Sequence, residues 1–219
     1  MKFSTKALLT AVACLAPVVS QAAPVAVTSN PSLSINGLNF SNFGCSLTMG
    51  GKAATPSSCD QINVGTITNP GAGIAFTSGF TASHNSFDDA VLSYNVSSAT
   101  GISAVGLDFN GTFAGWGISS VTETIFSDGK QVGFAKVSCN LESDGCSYTD
   151  SISLNGVYNN LSIQKDINVT GVQGKAQISY VDQTFTATPE PGSTALLGTG
   201  LLGVAGLLRR RSIRGKKQA

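Results

Sequence analysis

The sequence predicts an all-β protein, an antiparallel β-sandwich of about ten strands. Three observations carry this expectation. Apolar residues alternate with polar ones in short runs through the middle of the chain, as at Leu92, Tyr94 and Val96 and at Val105, Leu107 and Phe109. Alternation with period two marks strands buried on one face. The runs are bounded by Asn36-Gly37, Asn110-Gly111, Asp128-Gly129 and Asn155-Gly156, pairs that favour tight turns. No window before residue 193 has the 3.6-residue apolar period of an amphipathic helix, so strand follows strand without a crossover helix. Closure into a barrel is left open by the pattern.

The chain begins with a segment of another kind. Lys2 and Lys6 precede the apolar run 7–19, and Ser20-Gln21-Ala22 places small residues at a cleavage position. This reads as a secretory signal peptide over residues 1–22, helical in its apolar part. A lipoprotein signal at Cys14 would leave a very short apolar region before it. Residues 23–187 then form one exported domain, long enough for a substantial core. Its charge is one-sided: five lysines stand against twelve carboxylates between residues 23 and 191, a formal charge of −7, while eight of the thirteen basic residues lie in the two ends. Such a domain lacks the Lys/Arg clusters that nucleic acid requires.

Cys45, Cys59, Cys139 and Cys146 follow the signal segment, and an even number in an exported chain suggests two disulfides. Cys45–Cys59 and Cys139–Cys146 are favoured because each closes a short local loop. The spacings contain no C-x-x-C knuckle, so no zinc site is assigned. Val132, Phe134 and Val137 make a shorter strand, and Leu161, Ile163, Ile167 and Val169 share the parity of a longer one. Lys165 falls on that apolar parity, which calls for an edge, a bulge or a carboxylate partner. Between Tyr180 and Val181 the apolar parity switches, and a bulge is the expected cause.

Groups for chemistry are few. His84 is the sole histidine, and Ser83, His84 and Asp88 are too close in sequence to converge as a triad on a strand; a surface-loop histidine is expected. Asp88-Asp89 and Glu142 with Asp144 match no twelve-residue calcium loop. Glu123 and Asp182 are a candidate carboxylate pair for glycoside hydrolysis, although nothing brings them together in the sequence. Asn95, Asn110, Asn160 and Asn168 occupy Asn-x-Ser/Thr sites, from which no bacterial glycosylation follows. Trp116, between Gly115 and Gly117, is either a sugar-stacking platform or a buried tryptophan between sheets, the latter being favoured. No catalytic constellation, cofactor or metal is therefore assigned.

The C-terminus is the most specific part. Pro189-Glu190-Pro191 precedes an uncharged stretch, Ser193–Leu208, and then Arg209-Arg210-Arg211 and three further basic residues. As a helix the stretch spans about 24 Å, slightly short of a hydrocarbon core of about 30 Å, and snorkelling arginines absorb such a mismatch. The basic tail 209–219 puts the C-terminus in the cytoplasm and the domain across the membrane. These three features in this order resemble the PEP-CTERM sorting signal of Gram-negative bacteria, over residues 188–219.

The resemblance implies that an integral-membrane cysteine-type transpeptidase, exosortase, recognises Pro189, Glu190 and Pro191 and cleaves nearby. It also implies a transient inner-membrane anchor, a final place at the cell surface or outside it, and association with exopolysaccharide or biofilm matrix. Residues 163–185, with Gly37–Phe43, Leu92–Val96 and Val121–Thr124, look similar to a β-rich domain recurring in such proteins. No activity is established for that domain, and the cysteine pairs are not among its features. The expectation is a non-enzymatic exported surface or matrix protein. Its alternatives are a carbohydrate-binding module or adhesin, a plain single-pass anchor and, last, a secreted hydrolase.

Overall fold

A computed structural model describes residues 23–141, 145–188 and 198–203. Thirteen antiparallel strands occur among them. They are β1 (Val25–Ala26), β2 (Leu33–Ile35), β3 (Leu38–Gly50), β4 (Ala54–Thr55), β5 (Asn63–Ile67), β6 (Gly73–Ser83), β7 (Ser86–Phe109), β8 (Thr112–Ala114), β9 (Gly117–Ser127), β10 (Lys130–Asn140), β11 (Gly145–Ser147), β12 (Thr149–Gly171) and β13 (Lys175–Ala187).

Two strands are far longer than the rest and build both layers of a sandwich. The first half of β7 pairs with β3, the second half with β13, and β12 runs beside β7 through both. One layer therefore reads β2-β3-β7-β12-β9-β10-β11, and the other β1-β5-β6-β13-β7-β12. The crossing lies where Gly101 takes φ +81 and where the β7–β12 register breaks between Ser153 and Asn160. A side chain at Gly101 would strike Val157, so glycine is required for the bend. Asn155-Gly156, expected as a turn, lies within this irregular part of β12.

Alternation decides which residues face inward. Leu92, Tyr94 and Val96 from one layer meet Phe76 and Phe185 from the other in a single core. Ring centroids of Phe40 and Phe185 lie 5.7 Å apart, Phe43 stacks on Tyr94 at 5.5 Å, and Phe76 lies 5.6 Å from Tyr94. These contacts bridge β3 and β7 to β6 and β13, which makes the arrangement a packed sandwich.

Turn chemistry fixes the register. Asn36-Gly37 and Asp128-Gly129 both adopt left-handed φ at the two central positions, as type I′ hairpins demand. Cys45 bonds Cys59, tying β3 to a 3-10 turn, and Cys139 bonds Cys146 across the β10–β11 hairpin at paired positions. The expected bulge in β13 lies between Ile178 and Tyr180. There the Ser179 and Tyr180 N–H groups both donate to Asn110 Oδ1 at 2.9 Å, so Asn110 serves a bulge rather than a hairpin turn.

The signal segment and most of the expected span 193–208 lie outside the described residues. Among the described residues no helix is long and apolar enough to cross a membrane. Residues 198–203 are helical and exposed, with Leu201 and Leu202 63% and 73% accessible. This part of the apolar stretch is not a layer of the core.

Candidate functional site

Three places on the described chain bring chemistry together. The first is the end of the sandwich around Trp116. The loop 115–117 lies against the loop 172–175 so closely that a side chain at Gly117 would strike Lys175 O and one at Gly174 would strike Ala114 O. The Val172 N–H donates to Trp116 O at 3.4 Å. Backbone against backbone leaves the indole no room inside, and Trp116 is 56% exposed. The expected burial between sheets is thus reversed, because the glycines that bring the loops together also exclude a large ring. With Ile118, Leu141, Val172 and the polar Asn140 and Gln173, Trp116 lines a hollow of about 250 Å³.

The second place is the outer face of the β7–β13 layer. Asp108 and Asp182 stand directly opposite one another in the register. Burial and then the Asp108 charge push Asp182 up to about 6, and burial raises Asp108. Tyr148 and Tyr180 are exposed beside them, and a groove of about 480 Å³ runs past Asp108, Tyr148 and Tyr180. Tyr148 carries no sequence signal, since it follows a hairpin where neither alternation nor turn chemistry marks it; Tyr180 shares the apolar parity of Ala176 and Ile178, and the bulge between Ile178 and Tyr180 turns it outward.

The third place lies between the layers. Lys165 from β12 donates through Nζ to Glu123 Oε2 on β9 and, at 2.5 Å, to Gln183 Oε1 on β13. All three side chains are fully buried. Gln183 Nε2 donates to Gly106 O at 2.9 Å, which fixes the amide with its oxygen toward the amine. Burial lowers the Lys165 pKa and raises that of Glu123, each effect opposed by the partner's charge. Glu123 Oε1 and the Tyr94 hydroxyl are buried without a hydrogen-bond partner among the described residues, and burial and the charge on Glu123 push the Tyr94 phenol upward.

This geometry separates the proposed hydrolytic pair. Glu123 faces the interior, while Asp182, adjacent to the inward Gln183, faces outward on the other layer. Ser83, His84 and Asp88 also fail to converge. His84 sits on an exposed turn at φ +51, and Asp88 points into the sandwich. Asp88 and its neighbour Asp89 occupy opposite faces of β7, so they share no ion. No group of three metal-binding side chains occurs among the described residues. Glu142 and Asp144 lie outside them, as do Pro189, Glu190, Pro191 and Arg209–Arg211.

The approach to the tail is described. Thr188 N–H donates to Gly101 O at 2.9 Å, and Thr188 Oγ1 donates to Thr100 O at 2.9 Å. The chain is therefore held to the strand crossing up to the residue preceding Pro189.

Fold and tail together define an antiparallel β-sandwich carrying a C-terminal sorting signal. Residues 187–211 match the family model of the PEP-CTERM protein-sorting motif, and the chain carries that motif. The motif marks an exosortase-sorted protein exported toward the cell surface. No curated protein matches the sequence. Among solved structures, TmCBM61 in complex with β-1,4-galactotriose is 12% identical, with TM-score 0.33 over 64% of this chain and 88% of that one. The CBM36-1 domain of a multidomain xylanase from the hindgut metagenome of Trinervitermes trinervoides is 21% identical, with TM-score 0.29 over 67% and 100%. A CBM36 carbohydrate-binding module in complex with calcium and xylotriose is 14% identical, with TM-score 0.24 over 65% and 99%. All three scores fall below 0.5, and no ligand is carried across from them.

Proposed function

We propose that the protein is a non-enzymatic surface or extracellular-matrix protein. Its domain 23–187 is delivered by the signal segment 1–22 and held by the tail 188–219 until an exosortase-type enzyme processes it near Pro189-Glu190-Pro191. The observation that carries this reading is the motif match at residues 187–211, which begins at the last residue of β13 and takes in Thr188, the last residue pinned to the sandwich. Four residues separate Thr188 from Ser193, five steps of chain with a reach of at most about 17 Å when extended. The folded body is thereby kept beside the membrane while the tail is in place. An exopolysaccharide matrix is the proposed destination.

Mass spectrometry of the protein isolated from its native host tests the processing step. The expected chain begins near Ala23 and ends near the Pro-Glu-Pro element. A chain still ending at Ala219 overturns the reading and leaves a plain single-pass anchor.

The exposure of Trp116 favours a second reading, in which the domain binds carbohydrate at the Trp116 hollow. An indole face with adjacent amide side chains suits a sugar ring, apolar on one side and hydroxylated at its rim. A glycan array with residues 23–188 is expected to detect a host polysaccharide, with Trp116→Ala weakening binding by about tenfold, roughly 1.4 kcal/mol. Equal binding by the variant would remove Trp116 from the site.

A further inference from the structure

We propose that Lys165 and Gln183 join covalently, forming an intramolecular amide bond across the two layers with Glu123 as the proton carrier. This goes beyond the sorting reading and does not depend on it. An amine, a carboxamide and a carboxyl group meet in a fully buried space, a combination that hydrophobic packing alone would not assemble.

The arrangement supplies each requirement for aminolysis. The amine contacts the carboxamide oxygen, and the reacting carbon lies one covalent bond behind it. Gly106 O holds the amide so that it cannot turn away. The three groups come from β12, β9 and β13, all paired on both sides by neighbouring strands, so the contact is maintained without further ordering. Fixed proximity of this kind is worth effective molarities of about 10⁵–10⁸ M. Exclusion of water suppresses the competing hydrolysis of the amide.

The step balances within these residues. The Lys165 ammonium gives one proton to Glu123, and the neutral amine attacks Cδ of Gln183. The carbonyl electron pair moves onto Oε1. Glu123 then passes its proton to Nε2 and takes one from the attacking nitrogen. The carbonyl reforms as the Cδ–Nε2 bond breaks and ammonia leaves. A new Nζ–Cδ bond remains, and Glu123 is left as a neutral acid. A buried ion pair is replaced by uncharged groups, so desolvation drives the reaction forward; the depressed amine and raised carboxyl pKa values run the same way. No oxidant, metal or other reactant is needed, and each chain reacts once.

Peptide mapping of the full chain, reduced and denatured, provides the test. The expected result is a species lighter by one ammonia, with a branched peptide joining Lys165 to Gln183 and no tryptic cleavage at Lys165. Glu123→Gln, nearly the same size, is expected to leave most of the folded protein uncrosslinked. Free Lys165 and Gln183 side chains in the folded wild-type protein overturn the proposal, and that measurement decides the matter even if the variant does not fold. A crosslink formed equally well in folded Glu123→Gln removes Glu123 from the chemistry.

Discussion

Relative to the protein that still holds the Lys165–Glu123 ion pair, before any Lys165–Gln183 amide forms, replacing Lys165 with methionine lowers the unfolding free energy by about 3–5 kcal/mol, the usual cost of stranding one member of a buried ion pair. Glu123 would remain in the core with Oε1 already lacking a partner among the described residues and Oε2 newly deprived of one. The double variant Lys165→Met with Glu123→Leu recovers about half of the loss, because two apolar side chains of similar volume carry no desolvation penalty. A remaining deficit of about 1–3 kcal/mol reflects Gln183 Oε1, which loses its only described donor. Neither variant can form the proposed Lys165–Gln183 amide, so their difference reads the electrostatic contribution alone. Urea unfolding measures both. Equal stabilities for single and double variants would show that Glu123 tolerates burial without a cationic partner.

The same three residues show how far the sequence could be read. Lys165 on an apolar parity announced an edge, a bulge or a partner, and the structure supplies the partner. The pairing was hidden: Glu123 also falls on an apolar parity, between Val121 and Ile125, but it is forty-two positions away and nothing in either strand assigns the one to the other. The sandwich itself was legible, since alternation through most of β7 and the second half of β12 follows burial, although Phe87 is exposed and Asp88 buried against that pattern. The count of strands was less so. β7 and β12 pass from one layer to the other without leaving extended backbone, so each contributes twice with no turn signal at the crossing. Phe134 misled for a related reason. A register shift between Gln131 and Gly133 sets Ala135, Val137 and Cys139 inward and turns Phe134 out. Both disulfides follow the local pairing, because cysteines seven and fourteen residues apart close loops that a hairpin and a short turn already form. Trp116 went the other way: expected between the sheets, it is exposed, because its flanking glycines permit a backbone contact that expels the ring.

Stability is expected to fall as pH rises from about 4 to 8, the opposite of acid unfolding driven by salt-bridged carboxylates. Burial, with the Asp89 charge, pushes Asp88 up to about 7, the backbone of Asp89 offsetting part of the rise. Neither Asp88 carboxyl oxygen has a hydrogen-bond partner among the described residues. Burial and the contact with Asp89 raise Asp166 to about 6, and burial and Asp108 raise Asp182 to about 6. In each case the folded chain holds its proton to a higher pH than the unfolded one. The folded state therefore binds more protons between roughly pH 4 and 7, and the slope of unfolding free energy with pH is negative there. The favourable increment is complete below the unfolded carboxylate pKa near 4 and is lost as pH climbs through the folded values. Over this range Asp88 alone accounts for about 4 kcal/mol of the loss, and Asp166 and Asp182, partly exposed and screened by solvent, add less than their shifts imply. Asp88→Asn keeps the shape and removes the ionisation. It should raise stability at pH 8 by about 1–3 kcal/mol while changing little at pH 4.5. Thermal melts of wild type and variant across this range read both effects. A wild-type melting temperature that rises with pH would mean that these carboxylates are ionised and satisfied in the folded chain.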